Sequence, residues 1–489
     1  MNKITRRDAL GRIGQAGLVL GSTGVPLRSQ VSGASPSEEV RVAVIGIGVK
    51  GRLHVGYFGS LPGVKVVAVV DVDPARVAEG IELAKKAGSS AKGYSDARHV
   101  LDRKDIDAIV IATPNHWHGL LTIWGCQAGK HVYVEKPACH NIWEGQKMLE
   151  AERRYDRIVQ VGTQNRSNAG FSQTAEYLRK QPLGKIKWIQ GRFNKLRNSI
   201  GMTPGPQSLP KGMDYDLFCG PAPLAPVRRK RFHYDWHWDW DTGNGDLGNN
   251  GPHITDEIRQ IMGDDIQPSR VMSYGGRFLF NDSGVTPNTL AAIYDYDGIP
   301  CSMEIRNLPM KPSIKALDHF RGVRIGCYIQ CEHGHVIAGE GGGIFYDADG
   351  NKIKTFSGDG GTAHHHGNFI DAVRAGDRSL LNAPLEVGVR AAELFLAGNL
   401  SWRIGSPDLA PNLSSSGDID GLPLTGDALR SIRSHLEING VNLKETPLTY
   451  GPWLSVSNKP EGIKSSVPET QKMLDALLKP SYRAPYTIS

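Results

Sequence analysis

The chain has 489 residues, with 57 Lys and Arg against 50 Asp and Glu and a formal net charge of +7. This length exceeds one ordinary domain and predicts two domains with room for extensions. The basic excess is small for so long a chain, so no nucleic-acid partner is expected.

Residues 1–34 are predicted to be a targeting segment rather than part of the fold. The pair Arg6-Arg7 is followed by a short apolar stretch, Ile13 to Pro26, and then by small residues that suit cleavage. The pattern resembles a Tat export signal, although Ala9 stands where a large apolar residue is usual. We expect an exported, periplasmic protein with no stable membrane span, since the apolar stretch is shorter than the about 20 residues required. The alternative is a basic N-terminus on a cytoplasmic enzyme.

The segment from residue 40 to residue 71 carries the strongest pattern in the chain. A β-branched run, Val40 to Ile45, predicts a buried parallel strand and leads directly into a G-x-G-x-x-G turn and a helix. A second apolar run, Val64 to Val70, then ends on Asp71, whose carboxylate suits an adenosine ribose. Strand, glycine turn, helix, strand and terminal acid together predict dinucleotide binding. The glycines of the turn are Gly46, Gly48 and Gly51.

The same rhythm of strands and helices continues to about residue 162 and predicts a doubly wound parallel sheet. In such sheets ligands bind at the carboxyl ends of the strands, and polar clusters follow three predicted strands here. These clusters are Thr113-Pro114-Asn115-His116, Glu135-Lys136-Pro137 and Thr163-Gln164-Asn165.

These motifs resemble a known family, the glucose-fructose oxidoreductase / inositol dehydrogenase / rhizopine catabolism group. The matching pieces are the glycine turn, Ala112-Thr113-Pro114-Asn115-x-x-His118, Gly129-Lys130-His131-Val132-x-Val134-Glu135-Lys136-Pro137 and Gly251-Pro252-His253. The resemblance implies a bound nicotinamide cofactor and chemistry at a sugar or cyclitol carbinol. It also implies that Lys136 contacts nicotinamide and substrate and that His253 exchanges the proton. The implied cofactor-binding residues are Gly46, Gly48, Gly51, Asp71, Thr113, Asn115, His118, Glu135, Lys136 and Gln164.

The second half of the chain contains strand patterns without intervening helices, which predicts an antiparallel sheet. The predicted strands are Lys185 to Asn194, Ser269 to Gly276, Thr289 to Tyr296, Cys301 to Asn307 and Val323 to Ile337. In the resembling family this sheet is open and its outer face often forms oligomer contacts, so a homo-oligomer is expected here.

An aromatic and acidic segment between the first two of these strands is the predicted carbohydrate site. Aromatic ring faces stack on sugars, and neighbouring carboxylates and amides bond to hydroxyls. The alternative is an aromatic cluster that only covers the sheet. The candidate substrate residues are Trp236, His237, Trp238, Asp239 and Asp246.

Asn249 departs from the pattern of the resembling dehydrogenases, which commonly have aspartate four residues before the histidine. Asparagine can orient the imidazole of His253 but adds no negative charge. His253 is then a weaker base than usual, or an aspartate at position 246, 235 or 239 substitutes for it. Lys136 is a further candidate if burial lowers its pKa. The predicted catalytic set is Lys136, His253 and Asn249.

Metal and disulfide sites are not expected. His364-His365-His366 is predicted to lie on an extended segment, where alternate side chains face opposite ways and at most two could share a metal. Six cysteines include no C-x-x-C pair, and Tat substrates fold before export.

The predicted fold is α/β: an N-terminal Rossmann domain plus an α+β domain with a large open, mainly antiparallel sheet. The predicted boundaries are 1–34 signal, 35–162 Rossmann domain, 163–405 substrate and oligomerisation domain, and 406–489 C-terminal extension. The predicted function is an exported oxidoreductase with tightly bound NAD, NADP being the alternative cofactor, that acts on a carbohydrate carbinol. The alternative is a hydrolase or lyase that oxidises, eliminates and reduces on one bound cofactor. A sugar-binding protein with a vestigial cofactor site is the non-enzymatic alternative.

Overall fold

A computed structural model describes residues 39–415, 417–457, 462–479 and 481–488. The predicted signal segment, with its twin arginines, lies outside the described residues. The first described strand, Val40–Ile45, has the bounds that its apolar run predicts.

A sheet of six parallel strands forms the first domain of the described chain, in the order β3-β2-β1-β4-β5-β6. The order reverses between β1 and β4, and such switch points are where ligands bind. The strands are β1 (Val40–Ile45), β2 (Val64–Val70), β3 (Lys92–Tyr94), β4 (Ala108–Ile111), β5 (His131–Val134) and β6 (Val159–Val161). The connecting helices are α1 (Val49–Gly59), α2 (Pro74–Lys86), α3 (Arg98–Leu101), α4 (His118–Gln127) and α5 (Ile142–Arg154).

Helices on both faces bury the central strands, which explains why their sequences are continuous apolar runs rather than alternating ones. Every residue of β4 is buried. The doubly wound sheet predicted from these runs is therefore confirmed.

A second, larger sheet contains eleven strands within the described residues, in the order β14-β13-β12-β11-β7-β10-β9-β8-β16-β17, with β15 paired to β8. Its neighbours run antiparallel except for β7 and β10, which are parallel. The strands are β7 (Ile186–Phe193), β8 (Arg270–Gly276), β9 (Thr289–Tyr296), β10 (Ile299–Arg306), β11 (Ile325–Cys331), β12 (Gly334–Gly339), β13 (Gly342–Asp347), β14 (Lys352–Ser357), β15 (Thr449–Tyr450), β16 (Leu454–Val456) and β17 (Ile463–Lys464).

Three helices of the second domain, α6, α9 and α11, cover one face of this sheet, and α9 also reaches the cleft. Ile254 and Ile258 belong to the same buried cluster as Ile189 and Ile329 of the sheet. The helices are α6 (Ala169–Arg179), α7 (Tyr215–Cys219), α8 (Gly245–Asn249), α9 (Gly251–Met262), α10 (Thr362–Ala375), α11 (Leu385–Arg403), α12 (Thr425–Ile438) and α13 (Pro468–Leu478).

Three predictions of local structure are corrected by tertiary contacts. The single strand predicted from Val323 to Ile337 is a hairpin, because a turn at residues 332–333 separates β11 from β12. The helix expected near Thr255 begins at Gly251, so His253 lies in its first turn. His364, His365 and His366 lie in α10 and not on an extended segment, since the latter two form buried hydrogen bonds with the first domain.

The segment after residue 405 packs on the second sheet. Leu429, Ile432 and Leu436 of α12 form a buried cluster with Met272 and Ile293 on the sheet face opposite to α9. β15, β16 and β17 lengthen the same sheet at β8. The predicted boundary at residue 406 stays a prediction. The strands that follow it belong to the same sheet as the strands of the preceding domain.

Among the described residues, no helix has the length and apolar content needed to cross a membrane. The six cysteines are buried and unpaired.

Candidate active site

A cleft of about 390 Å³ opens at the carboxyl ends of β1, β4 and β5 and extends to the first turn of α9. This volume lies within the range of small-molecule sites, roughly 300–1,000 Å³. Most of the predicted site residues line it. They are Gly46, Gly48, Asp71, Thr113, Asn115, His118, Glu135, Lys136, Trp236, His237, Asn249 and His253.

The remaining predicted residues lie away from the cleft surface. Gly51 is a packing residue, because a Cβ atom there would stand 1.7 Å from the carbonyl oxygen of Gly46. Gln164 lies in a buried turn beyond β6. The other residues that do not line the cleft are Trp238, Asp239 and Asp246.

The glycine turn leaves room for a ligand at the start of α1. Gly46 has φ +86, and a Cβ atom there would stand 2.7 Å from the carbonyl oxygen of Ala112. A Cβ atom at Gly48 would meet nothing within 4 Å, so the backbone is open to the cleft at that point. α1 has no side-chain cap, and the free N–H groups of a helix N-terminus bind phosphate groups. This geometry fits the pyrophosphate of a dinucleotide.

Asp71 ends β2 at the rim of the cleft. Its carboxylate accepts hydrogen bonds from the backbone N–H groups of Ile47 at 2.7 Å and Asp73 at 3.0 Å. Burial raises the pKa of Asp71, against the two backbone hydrogen bonds that lower it. Arg76, the nearest basic side chain in the sequence, donates to Glu79 at 2.9 Å. The rim therefore presents a carboxylate whose closest arginine in sequence is engaged elsewhere.

The polar residues after β4 hold the cleft wall together. The Asn115 amide donates to the side-chain oxygen of Asn244 at 2.8 Å and so joins the two halves of the cleft. The ring nitrogens of His118 contact the carbonyl oxygens of Pro137 at 2.7 Å and Thr113 at 3.0 Å. The buried hydroxyl of Thr113 has no hydrogen-bond partner among the described residues, which leaves it free for a ligand.

Lys136 is held by the second domain. Its ammonium donates to the carbonyl oxygen of Asn249 at 2.5 Å and approaches the side-chain oxygen of the same residue at 3.4 Å. Asn249 is the last residue of α8, where helix carbonyls lack intrahelical partners. Burial lowers the pKa of Lys136 to about 8, although the neighbouring carboxylate of Glu135 opposes the shift.

His253 lines the same cleft with no hydrogen-bond partner from the described part of the chain. Its ring stacks on Phe193 with the centroids 6.1 Å apart. Burial lowers the pKa of His253 to about 3, and the charges of Lys136 and Lys50 act in the same direction. Asn249, expected to orient this imidazole, contacts Lys136 instead, because the chain turns at residue 250 between α8 and α9.

The aromatic segment divides into a cleft part and a packing part. Trp236 and His237 line the cleft, with their rings stacked 3.7 Å apart. The Nδ1 atom of His237 contacts the carbonyl oxygen of Tyr234 at 2.6 Å. Trp238 is 4% exposed and belongs to the core. The packing alternative therefore describes Trp238, whereas the sugar site stays a prediction for Trp236 and His237.

Asp246 is committed to a buried ion pair. Arg197 donates to its two oxygens at 2.6 and 3.0 Å, and Asn250 donates at 2.8 Å. Asp235, the second acid considered as a substitute base, pairs with Arg231 at 2.7 Å. Asp239 does not line the cleft. None of the three acids is placed as a free base beside Lys136.

The sequence patterns missed several residues that line the cleft. Lys50 follows the second glycine of the turn, and Lys195 follows β7. The sequence feature that could have identified them is a basic residue near the start of a predicted helix or the end of a predicted strand, where anionic ligands bind. Tyr234 lines the cleft as well, and His54 contacts Glu135 beneath it at 2.9 Å. No group of three or more potential metal ligands occurs among residues that the structure describes.

Two family models match the chain. Residues 40–163 match the NAD-binding Rossmann fold of an oxidoreductase family, and residues 191–276 match the C-terminal alpha/beta domain of that family. The first domain is therefore an NAD-binding Rossmann-fold domain.

Curated relatives are similar over about a third of the chain or less. A glycosyl hydrolase family 109 protein of Shewanella pealeana is 30% identical over 174 residues, which are 31% of this chain and 38% of the relative. The inositol 2-dehydrogenase of Salmonella typhimurium is 28% identical over 155 residues, which are 31% of this chain and 45% of the relative. The matched segment thus spans less than half of each relative.

Solved structures share the fold over most of the chain. Levoglucosan dehydrogenase in complex with NADH and levoglucosan has a TM-score of 0.55 and 19% identity, covering 73% of this chain and 96% of that one. The WlbA dehydrogenase of Bordetella pertussis, in complex with NADH and UDP-GlcNAcA, has a TM-score of 0.54 and 18% identity, covering 73% of this chain and 95% of that one. At these identities the likeness shows the two-domain fold alone.

Proposed function

We propose that the chain belongs to the glucose-fructose oxidoreductase / inositol dehydrogenase / rhizopine catabolism family, two of whose domain models match it. In this proposal it transfers a hydride between NAD and a secondary carbinol of a sugar, glycoside or cyclitol. The observation that carries the proposal is one cleft lined by the open glycine turn, by Lys136 and by His253. A dinucleotide bound at the glycine turn would extend along the cleft to these two side chains.

The residues present fit the cofactor. The N-terminus of α1 would hold the pyrophosphate, Asp71 would accept from a ribose hydroxyl, and the free hydroxyl of Thr113 would bond to the ligand inside the cleft. The nicotinamide, when bound, supplies the acceptor or donor of the hydride.

Lys136 is the group that would exchange the hydroxyl proton of the substrate. A pKa of about 8 lets it accept or donate a proton near neutral pH. The carbonyl oxygen of Asn249 fixes the position of its ammonium. His253, whose pKa is lowered to about 3 by burial, would remain a neutral imidazole and donate its ring N–H to the hydroxyl oxygen. Trp236 would pack against the apolar face of the ring.

A substrate panel tests this function. Purified protein is given NAD with sugars, cyclitols or glycosides, and in separate assays it is given NADH with the corresponding keto forms. The absorbance of reduced nicotinamide is followed in both. We expect turnover with at least one carbinol and the reverse reaction with its ketone. Absence of turnover across the panel, with NAD bound, would contradict the proposal and favour a binding protein.

A second candidate is cleavage of a glycoside through transient oxidation on the same bound NAD. Several relatives are named glycosyl hydrolase family 109 proteins, and one of Shewanella oneidensis is named alpha-N-acetylgalactosaminidase. Lys136, after passing the hydroxyl proton to solvent, would then also remove the acidified proton of the carbon next to the oxidised one. Release of nitrophenol from nitrophenyl glycosides without net change in NADH distinguishes this candidate from the dehydrogenase.

We also propose that the protein is exported and holds its cofactor tightly. Arg6-Arg7 supports a twin-arginine route, which exports folded proteins. A weakly bound nucleotide would be lost where free NAD is scarce. Denaturing the protein purified from the periplasm should release near-stoichiometric NAD, and an Arg6→Lys, Arg7→Lys variant should stay in the cytoplasm. An empty protein that needs about millimolar NAD would contradict tight binding.

Association of copies through the second sheet is the remaining proposal. α12 covers the β8 and β9 side of the outer face. Farther along the sheet, on β11, β12 and β13, the rings of Tyr328, His335 and Tyr346 stack with centroids 5.1 and 4.7 Å apart. A Tyr346→Asp substitution should shift the mass measured by light scattering from oligomer to monomer. An unchanged mass would exclude this face.

A further inference from the structure

A line of buried side chains runs from the cleft wall into the first domain. Glu135 lines the cleft, and its Oε1 atom lies 2.9 Å from Nε2 of His54. The Nδ1 atom of His54 lies 3.1 Å from Nε2 of His366, whose Nδ1 atom lies 3.0 Å from the carbonyl oxygen of Thr362. Glu135, His54 and His366 are 3%, 1% and 2% exposed.

The protons in this line can be counted. Each of its three contacts needs one hydrogen, and the carbonyl oxygen at its far end can only accept. Two neutral imidazoles carry one N–H each and supply two of the three hydrogens. The third is an additional proton, carried by an imidazole or by the carboxyl of Glu135. The three side chains together are therefore neutral, whereas two neutral histidines and a carboxylate would carry one negative charge.

We propose that Glu135, His54 and His366 share this additional proton and act as positioning residues for Lys136. The Oε2 atom of Glu135 accepts the backbone N–H of Lys136 at 3.1 Å. The carboxylate thus holds the backbone of Lys136 and influences its charge, while the histidines hold the carboxylate. The proton count is independent of the proposed function, whereas the effect on turnover rests on it.

The contact between Glu135 and His54 is the one that two neutral rings leave without a hydrogen, and its surroundings favour an ionised Glu135. Burial opposes the charge, but Lys50 and His54 hold the pKa of Glu135 well below its usual range. The ammonium of Lys50 lies 3.8 Å from Oε1. Burial and the proximity of His54 lower the pKa of His366 to about 3, so a second proton on the His366 ring is disfavoured.

The other titratable groups around the line leave the count unchanged. Tyr133 and Tyr57 pack against His366 with ring centroids 5.4 and 4.9 Å away, and burial raises the pKa of Tyr133 well above its usual value. His365 bonds outside the line, to Val161 and Ser167.

The first experiment observes the proton directly. In cofactor-free protein with ¹⁵N-labelled histidine, the ring nitrogens are recorded by NMR at about pH 8, where an ordinary histidine with a pKa of about 6.5 is neutral. We expect one buried imidazolium, absent in Glu135→Gln and in His54→Gln. Neutral rings throughout in the wild-type protein, together with an ionised Glu135 carboxyl read from its ¹³C chemical shift, would overturn the proposal. This result does not depend on whether either variant folds.

The second experiment measures Lys136. The pH dependence of its acylation in cofactor-free protein, quantified by peptide mass spectrometry, gives its pKa. His54→Gln removes a nearby positive charge and should raise that pKa by about 0.5 unit or more. Glu135→Gln removes the adjacent negative charge together with the more distant imidazolium, and it should lower the pKa by a smaller amount because the nearer charge dominates. The control is His364→Gln, a substitution of the neighbouring histidine whose side chain is 71% exposed, and it should change nothing.

Shifts of Lys136 in the same direction for both variants would indicate general damage to the site and would overturn the positioning role. If the catalytic proposal holds, the pH profile of turnover moves with the acylation pKa. If turnover is absent but the NMR and acylation results stand, the proton-sharing line is correct and the proposed reaction is not.

Discussion

The ammonium of Lys136 and the carbonyl oxygen of Asn249 are 2.5 Å apart, although the residues are separated by 113 positions in the sequence. Lys136 follows β5 of the Rossmann domain, and Asn249 is the last residue of α8 in the second domain. The candidate acid–base group thus depends on both domains for its position. Its ionisation should respond to changes at Asn249, because the side-chain oxygen of that residue is 3.4 Å from the ammonium.

An Asn249→Asp substitution should move the pH profile of carbinol oxidation to higher pH. A carboxylate beside the ammonium favours the charged form, so the pKa of Lys136 rises from about 8, by about one unit or more. Oxidation requires the neutral amine, and the rate should therefore rise at higher pH than in the wild-type enzyme. Asn249→Ala keeps the main-chain carbonyl and is the control. An unchanged pH profile in Asn249→Asp would show that Lys136 does not transfer the proton.

Lys136→Ala should lower turnover by roughly 10²-fold or more, as expected when a positioned proton-transfer group is lost. His253→Ala should lower it by roughly 10²-fold, because a hydrogen bond to the reacting oxygen is lost. Both side chains line the cleft. NAD affinity, measured by calorimetry, should change less in His253→Ala than in Asp71→Ser. Full activity of His253→Ala would remove this residue from the mechanism.

Asp71 should make the protein prefer NAD to NADP. Its carboxylate is fixed by two backbone N–H groups and would repel a 2′-phosphate, while Arg76 is engaged with Glu79. Titration of each nucleotide should show tighter binding of NAD, and Asp71→Ser should narrow the difference. Equal binding by the wild-type protein would contradict this assignment.

Asp246→Asn should destabilise the fold by about 3–5 kcal/mol, because it leaves the buried guanidinium of Arg197 without its carboxylate. An Arg197→Met, Asp246→Leu double variant should recover part of the loss. Denaturant unfolding measures both effects. If Asp246 instead served as the base, Asp246→Asn would abolish turnover while leaving the free energy of unfolding unchanged.

Glu257 should make the fold less stable as the pH rises. Burial raises its pKa to about 8 in the folded protein, against about 4.3 in an unfolded chain. Its contribution to stability is therefore full below the unfolded pKa and is lost as the pH rises through about 8. Glu257→Gln should raise the melting temperature at about pH 9 and change it little at about pH 4. The exposed Glu82→Gln is the control, and equal effects at both pH values would contradict the assignment.

Local patterns determined the first domain almost completely. The strands from Val40 to Ile45 and from Val64 to Val70 have their predicted bounds, because apolar patterns and turn chemistry are properties of consecutive residues. The same holds for the glycine turn, where the space around Gly46 and Gly48 follows from the motif. The pairing of strands was harder to predict from the sequence, as the hairpin of β11 and β12 and the parallel pair of β7 and β10 show.

The sequence by itself determined which residue types reach the cleft, since they follow strands whose carboxyl ends must meet at one edge. Only the tertiary structure decided what each of them contacts. Asn249 holds Lys136 instead of His253, and Asp246 is paired with Arg197. His54 and His366 meet across 312 positions, and packing placed the histidine tripeptide in a helix. Such contacts join side chains from separate elements, so they depend on how those elements pack and not on the residues beside them in the chain.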